Sequence, residues 1–529
     1  MRSKLSGLIM LVFLFVSVSA SGEPQVGSGV EVDTIKYFSI QNFLLSPFPL
    51  TDYNFLGGGA KARGMGGAFF AVSNDPTAAS WNPAGLSQLD KAQMNLSFSS
   101  HMQRREYTST SDSPSWDFSF GGELKNDANA ISFAGVVIPF TLREAELVGE
   151  VLYQRLADVY QENSYVTLLD SAFSDTEGDT IENYALPSID EKVTGKLDKI
   201  SLSLGAKLFE SLSLGAGVNI YAGEFVSDAN FFAPVGRTNE VLYVDTTGRN
   251  GIRFHPNIKS DYSGFNFTLG FMYMLEKLRL AGVVNTPFTL KEENDVRLLA
   301  DIIIMGEVSQ YSWIRSPLFK TDRKWKMPMM MGFGTSYQLN DLTLAADVEL
   351  RNYSKTKLTY RENLANPSGN EITTSLEWRD LTQFRIGGEY VLHTKLGDIP
   401  IRAGFRNDPQ LFKTQLDSSQ VYLRMDMQVL GADTFYTPAF VQSNYGVEKG
   451  SWVEGSVLSF GTGIAWSQIK FDITYEYARY DDVKKEVFTD IRPFDRGNKV
   501  FLDSWERKWF LNQESNNYSR IMISFTGFF

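Results

Sequence analysis

The 529-residue chain contains no cysteine. That excludes a disulfide-stapled secreted domain, a thiolate metal site and an anchor carried on a lipidated terminal cysteine. Beyond its first twenty residues it also lacks any uninterrupted apolar run of about 18, the least a membrane-crossing helix needs. Mean hydropathy is -0.18, so any membrane crossing falls to strands. Histidine is scarce: His101, His255 and His393 are scattered without ligand spacing, which argues against a zinc centre. No Gly-x-Ser-x-Gly elbow occurs, and no Gly-Lys-Ser/Thr follows the glycines near residue 60. Neither catalysis nor a cofactor is expected. A net charge of -12 argues against a nucleic-acid partner.

What the chain does have is alternation. Ile200, Leu202, Leu204, Ala206 and Leu208 share one parity against Ser201, Ser203, Gly205 and Lys207; after Glu210 and Ser211 the pattern resumes at Leu212. Period two is the mark of a strand. Each arm exceeds ten residues, whereas globular strands usually have about five or six and a tilted bilayer-crossing strand needs about 9 to 11. With 39 Phe, 23 Tyr and 9 Trp, the chain carries the aromatic residues that interfacial girdles require. The expected fold class is all-β: a transmembrane antiparallel β-barrel of about 14 strands with an N-terminal plug inside the lumen.

Arg2 and Lys4 precede an apolar run from Leu8 to Val16, and Val18-Ser19-Ala20 has the small residues of a cleavage site. Residues 1–20 are expected to be a signal peptide, whose removal takes the charge from -12 to -14. Residues 21–90 read as a compact irregular plug, rich in Gly, Ala and Ser, and 91–529 as the barrel. The run Ala62-Arg63-Gly64-Met65-Gly66-Gly67-Ala68-Phe69, then Asn74-Asp75-Pro76-Thr77-Ala78 and Trp81-Asn82-Pro83-Ala84-Gly85-Leu86, resembles the N-terminal signature of FadL-type outer-membrane transport proteins. Phe384-Arg385-Ile386-Gly387-Gly388-Glu389-Tyr390 with Ile401-Arg402-Ala403-Gly404-Phe405 is similar to that family's late hairpin.

The resemblance implies passive uptake of a hydrophobic molecule, a fatty acid or hydrocarbon, in the bacterial outer membrane. Its other partners would be outer-membrane lipid and the outer-membrane assembly machinery, the latter also suggested by the terminal Phe529. The competing readings are a barrel of this kind used as a surface scaffold or docking partner for secreted proteins, and an open general porin.

Alternation predicts strands from Lys91 onward, with 115–125 and 129–141 as separate strands around a short link at 126–128. Short links alternate with long segments such as 142–197 and 291–326, the asymmetry of periplasmic turns and outer loops. In the first long segment Leu147, Val151 and Leu152 fall at helical spacing and predict an amphipathic helix. In the second, Leu298, Leu299, Ile302, Ile303 and Ile304 lead on to Trp313. Both segments are candidates for capturing an apolar substrate, as outer-loop helices do in the resembled family, or for packing over the barrel mouth. Asn82, Pro83 and Ala84 are expected to set the plug's position, and Pro139, which lacks a ladder donor, is a candidate gating kink. Asp347, Glu349, Arg351, Arg385, Glu389, Arg402, Arg406, Asp472 and Glu476 alternate with apolar neighbours. A basic group facing lipid at the midplane costs about 2–4 kcal/mol, so these charges are expected to face inward, bracing the wall, holding the plug or lining the path.

Overall fold

The computed structural model describes residues 55–529 except 112–120, 170–172, 175–179, 182–183, 234, 239–240, 245–250, 305–306, 309–313, 316–318, 362–370, 377, 412, 418–419, 431–432, 444–447 and 492–504. The expected signal peptide at residues 1–20, residues 21–54 of the expected plug and Trp313 therefore lie outside the described residues. Fourteen staves form one closed antiparallel barrel. They are β1 (Gln93–Ser111), β2 (Gly121–Leu142), β3 (Ala145–Leu169), β4 (Tyr184–Phe209), β5 (Leu212–Ala233) and β6 (Gly251–Leu275). Three staves come in two pieces: β7 (Leu278–Asn285 and Phe288–Ile304), β8 (Phe319–Met327 and Met330–Leu339) and β9 (Leu342–Arg351 and Lys357–Arg361). The rest are β10 (Leu381–Thr394), β11 (Gly397–Asn407), β12 (Gly455–Trp466), β13 (Ile469–Tyr480) and β14 (Trp505–Phe528). Each stave pairs with the next, and β1 closes on β14 from Gln93↔Phe528 to Ser111↔Trp509. Closure leaves no sheet edge.

The breaks in β7 and β8 fall at Pro287 and Pro328, where a ladder N–H is missing. Between the pieces of β9 the chain makes a 3-10 turn at Tyr353–Lys355. Outward positions are apolar: Ile200, Leu204 and Ile220 are about half exposed, at 48%, 41% and 50%, while their neighbours Ser201 and Asn219 are buried. That is the sidedness of a barrel in hydrocarbon. The longest stave, β4, has 26 residues; at about 3.3 Å each and a tilt of about 45° it stands about 60 Å tall, roughly twice the bilayer core.

Two sequence expectations are corrected. Residues 121–142 form one unbroken strand, because Asn126 and Asp127 pair with Gln103 and Met102 in the β1–β2 ladder rather than turning the chain. Residues 145–169, expected as loop and helix, form β3. There Val151 faces outward and is exposed, whereas Leu152 faces the lumen and is buried; Leu147 is intermediate. Both faces of this stave are apolar, one toward lipid and one toward the plug, and that double pattern mimics helical spacing. One false split and one missed stave offset each other in the count. Leu298, Leu299, Ile302, Ile303 and Ile304 likewise belong to a ladder, β6 against β7, not to a loop.

Candidate functional site

Residues 55–89 fill the lumen, and nearly all are buried. A short helix, α1 (Ala60–Gly64), is ended by Gly66 and Gly67, whose φ values of 68° and 81° are left-handed; glycine takes such angles without Cβ strain. A 3-10 turn over Pro83–Gln88 is capped by Asn82, whose side chain accepts from the Ala84 amide at 3.1 Å, with proline in the favoured first position. The Asn82 side-chain nitrogen donates to the Phe70 carbonyl at 3.0 Å and to the carbonyl of Phe271 on β6 at 3.1 Å. One amide thus ties two parts of the plug to the wall.

The wall receives the plug on two rows of glycine. Gly205, Gly215 and Gly270 are neighbours in register across β4, β5 and β6. A Cβ on Gly215 would overlap the Pro83 carbonyl carbon and the Ala84 amide, and one on Gly270 would overlap the Asn82 side chain. On the facing wall Gly387 and Gly404 are register partners across β10 and β11. A Cβ on either would overlap the backbone of Met65 or Gly66.

The inward charges gather on β9, β10, β11 and β13, and all nine are buried. Arg402 joins Glu389 at 2.6 Å and Asp472 at 2.7 Å. Arg406 joins Glu476 at 2.5 Å, and Glu349 joins both Arg351 at 2.6 Å and Arg385. The plug enters this network through Lys61, 3.3 Å from Glu389, and Arg63, 3.7 Å from Glu476. Asp347 accepts from the Phe69 and Phe70 amides at 2.7 and 2.9 Å. Arg385 lies over the rings of Phe70 and Trp81, at 5.3 and 5.8 Å. Opposite, Glu150 of β3 accepts from the Ala79 amide at 3.1 Å.

Beside the plug the wall is interrupted. The β2–β3 ladder runs to Asn126↔Gln161 and resumes at Phe133↔Gln154, so residues 127–132 and 155–160 do not pair with each other. A bulge flanks each side, at Ser132 against β1 and at Leu156 against β4. Pro139 is not at this slit; it pairs with Val148 in an unbroken stretch of ladder. Behind the slit, Val159, Leu156 and Ala157 belong to an apolar cluster that spans the upper lumen through Tyr221, Trp325, Tyr353 and Leu381. Phe55 packs against that cluster, and Gln154 beside the slit donates to the Leu56 carbonyl at 2.6 Å. The cavity between plug and cluster is lined by Leu156, Tyr221, Phe288, Lys199 and Arg351 among others, and measures about 50 Å³. A water needs about 10–15 Å³ by this measure, so it holds a few waters.

The closed barrel with an internal plug matches the crystal structure of a Pseudomonas aeruginosa FadL homologue, with a TM-score of 0.52 at 14% identity over 89% of this chain and 98% of that one. The P. putida toluene transporter TodX matches with a TM-score of 0.50 at 13% identity, over 90% and 99%. The chain has the FadL-type fold. A family model described as BamG matches residues 177–412, less than half the chain. No curated protein matches the sequence. The FadL-type barrel is an outer-membrane barrel.

In this FadL-type barrel the late motif has a physical reading: Gly387 and Gly404 seat the plug, and Arg385, Glu389 and Arg402 hold charges beside it. Sequence reasoning missed both glycine rows, the plug contact of Glu150 and the slit. The first had a signal, since glycines recur at inward parity in strands that pair.

Proposed function

We propose that the barrel is a passive conduit for a hydrophobic molecule, with long-chain fatty acids the leading candidates, and that its cargo leaves sideways through the slit between β2 and β3. The observation that carries this reading is the six-residue interruption of the ladder backed by the apolar cluster. Counted about ten residues from the turn between Leu142 and Ala145, the crossing ends near residues 132 and 155, so the slit opens at the upper rim of the hydrocarbon, where a solute leaving sideways enters the loop-side leaflet. An apolar solute gains about 25 cal/mol per Å² removed from water, enough to draw it along the cluster without an energy source. The alternative to transport, a closed surface scaffold or docking partner, draws support from the small cavity and the tightly held plug.

The test is uptake of radiolabelled fatty acid in a deletion strain carrying the wild type or Ala157→Trp, which fills the slit with an indole. Uptake that falls with the indole while the barrel still folds supports lateral exit. Equal uptake in both removes the slit from the path, and no uptake with no co-purified lipid favours the scaffold.

A further inference from the structure

The outer wall carries an unbalanced basic patch. Along the second piece of β7 Leu290 and Glu292 are buried, so Lys291 between them faces outward; in the first piece of β8 Arg323, Trp325 and Met327 are buried and Lys324 and Lys326 face outward. Lys357 precedes buried Leu358 on β9 and is exposed, as is Lys355 in the turn below it. The register sets Lys291 opposite Lys324 and Lys326 opposite Lys357. Like charges facing each other across a ladder are destabilising. Lys324 has one partner, Glu371 at 2.9 Å; among the described residues, Lys291, Lys326, Lys355 and Lys357 have no ion pair. Several outward cations elsewhere are matched by carboxylates, as in Arg104 with Asp127, Lys192 with Glu162 at 2.8 Å and Lys259 with Glu224 at 2.8 Å, and Arg479, exposed and without an ion pair among the described residues, does not face a lysine across either of its ladders.

Height decides what this patch meets. A tilted strand crosses hydrocarbon in about 9 to 11 residues. Counted from the short turns at Leu278, Leu339 and Leu342, crossing ends near residues 288, 329 and 352, and the lysines follow within a few positions. The outward side chains between the short turns and the lysines, among them Leu280, Phe333 and Leu350, are apolar and exposed. Charge is also sorted by height: Glu293 and Asp322, opposite each other one step further along β7 and β8, lie on the loop side of the lysines. The basic row therefore sits at the headgroup level of the leaflet on the loop side.

We propose that the outward face of β7, β8 and β9 is a binding site for the phosphate groups of an outer-leaflet glycolipid, with Lys291, Lys326 and Lys357 as its principal contacts and Lys324 and Lys355 at its edges. The lipid anion neutralises a charge row that the protein leaves unmatched, and it fixes a lipid against the three staves that are broken at Pro287, Pro328 and the 3-10 turn.

The experiment is native mass spectrometry of the full chain released from phosphatidylcholine nanodiscs doped with diphosphoryl lipid A, or with the same lipid after dephosphorylation. The wild type retains the phosphorylated lipid and not the dephosphorylated one. At roughly fivefold per lysine near a charged surface, K291Q/K326Q/K357Q retains about a hundredfold less, whereas the corresponding triple arginine variant and a K277Q/K395Q control at the opposite mouth retain it. Equal retention of the two lipids by the wild type, or full retention by the glutamine triple, overturns the proposal. Folding of each variant is read from its heat-dependent gel mobility, and should the glutamine triple not fold, the comparison of the two lipids on the wild type decides alone.

Discussion

Gly404→Ala adds one methyl group to the wall and tests whether the plug is seated where the glycines are. The new Cβ would overlap the Gly66 amide nitrogen and the Met65 carbonyl carbon. Both are backbone atoms in the stretch where Gly66 and Gly67 turn the chain, so neither can swing aside as a long side chain would. Overpacking a filled interior costs about 1–3 kcal/mol, which at 1.4 kcal/mol per tenfold shifts the seated-to-displaced ratio of the plug by about 5- to 150-fold. Gly388→Ala is the matched control: it makes the same change one residue along from Gly387, on the outward face, where the nearest atom is a Leu344 methyl at 3.3 Å. Planar-bilayer recording reads plug displacement directly, as open events that the seated plug suppresses. Gly404→Ala and Gly387→Ala are expected to raise the open fraction at least severalfold, with Gly388→Ala like the wild type. If all three variants behave alike, the seating argument is wrong.

Asp347→Ala removes the acceptor of the Phe69 and Phe70 amides; at about 1–3 kcal/mol for each buried donor left without a partner, hydrogen exchange at these two amides should speed by tenfold or more, and unchanged protection would contradict the assignment. Arg402→Met strips Glu389 and Asp472 of their shared partner and leaves each a single lysine, Lys61 at 3.3 Å and Lys470 at 3.4 Å; outright loss of a buried pair costs about 3–5 kcal/mol, which bounds the effect from above. The urea midpoint of the barrel should drop, and the triple variant with Glu389→Gln and Asp472→Asn should recover most of the loss. His393, exposed at the turn between β10 and β11, has its pKa raised by hydrogen bonds to Asp398 and Asp341. Its pairing therefore stabilises the turn at acid pH, below the ordinary histidine value, and fades as pH rises through the raised value. Imidazole titration by NMR, with three histidines to resolve, should place His393 above free histidine and return it toward that value in Asp398→Asn.

How far the sequence carried the fold depended on how many partners each face had. Where one face meets lipid and the other meets small polar groups, as at Ile200 and Ser201, alternation reads cleanly. In β3 the inward face meets Leu86 and Leu89 of the plug through Val148 and Leu152, so apolar residues occur on both parities and the strand reads as a helix. Asn126 and Asp127 look like turn residues until their partners are known: Asn126 accepts from the Tyr160 amide at 3.1 Å, and Asp127 pairs with Arg104. Inward charge followed from parity, but Arg402 finds Asp472 seventy positions away, a match only closure of the barrel can supply. The slit left no trace in composition, because it is an absence of hydrogen bonds between strands rather than a choice of residue.

The plug's fastenings differ along its length. Each wall carboxylate touched by a plug cation has a wall arginine as well: Glu389 has Arg402 beside Lys61, and Glu476 has Arg406 and Arg520 beside Arg63. Withdrawing α1 would leave those carboxylates paired, and the neutral bonds that Ser459 accepts from the Gly66 amide and Thr474 donates to the Ala60 carbonyl can be exchanged for water at little net cost. Asp347 and Glu150 differ, since their hydrogen bonds go to plug amides, and each has one oxygen, Oδ1 and Oε1 respectively, without a hydrogen bond. Asn82 adds one bond to the wall at the same end, donated to the Phe271 carbonyl. A carboxylate stripped of its donors in a low-dielectric lumen is far more costly than a hydroxyl rehydrated. The wall therefore holds residues 69–84 more firmly than residues 57–66, and any path past the plug opens first on the side of β11, β12 and β13.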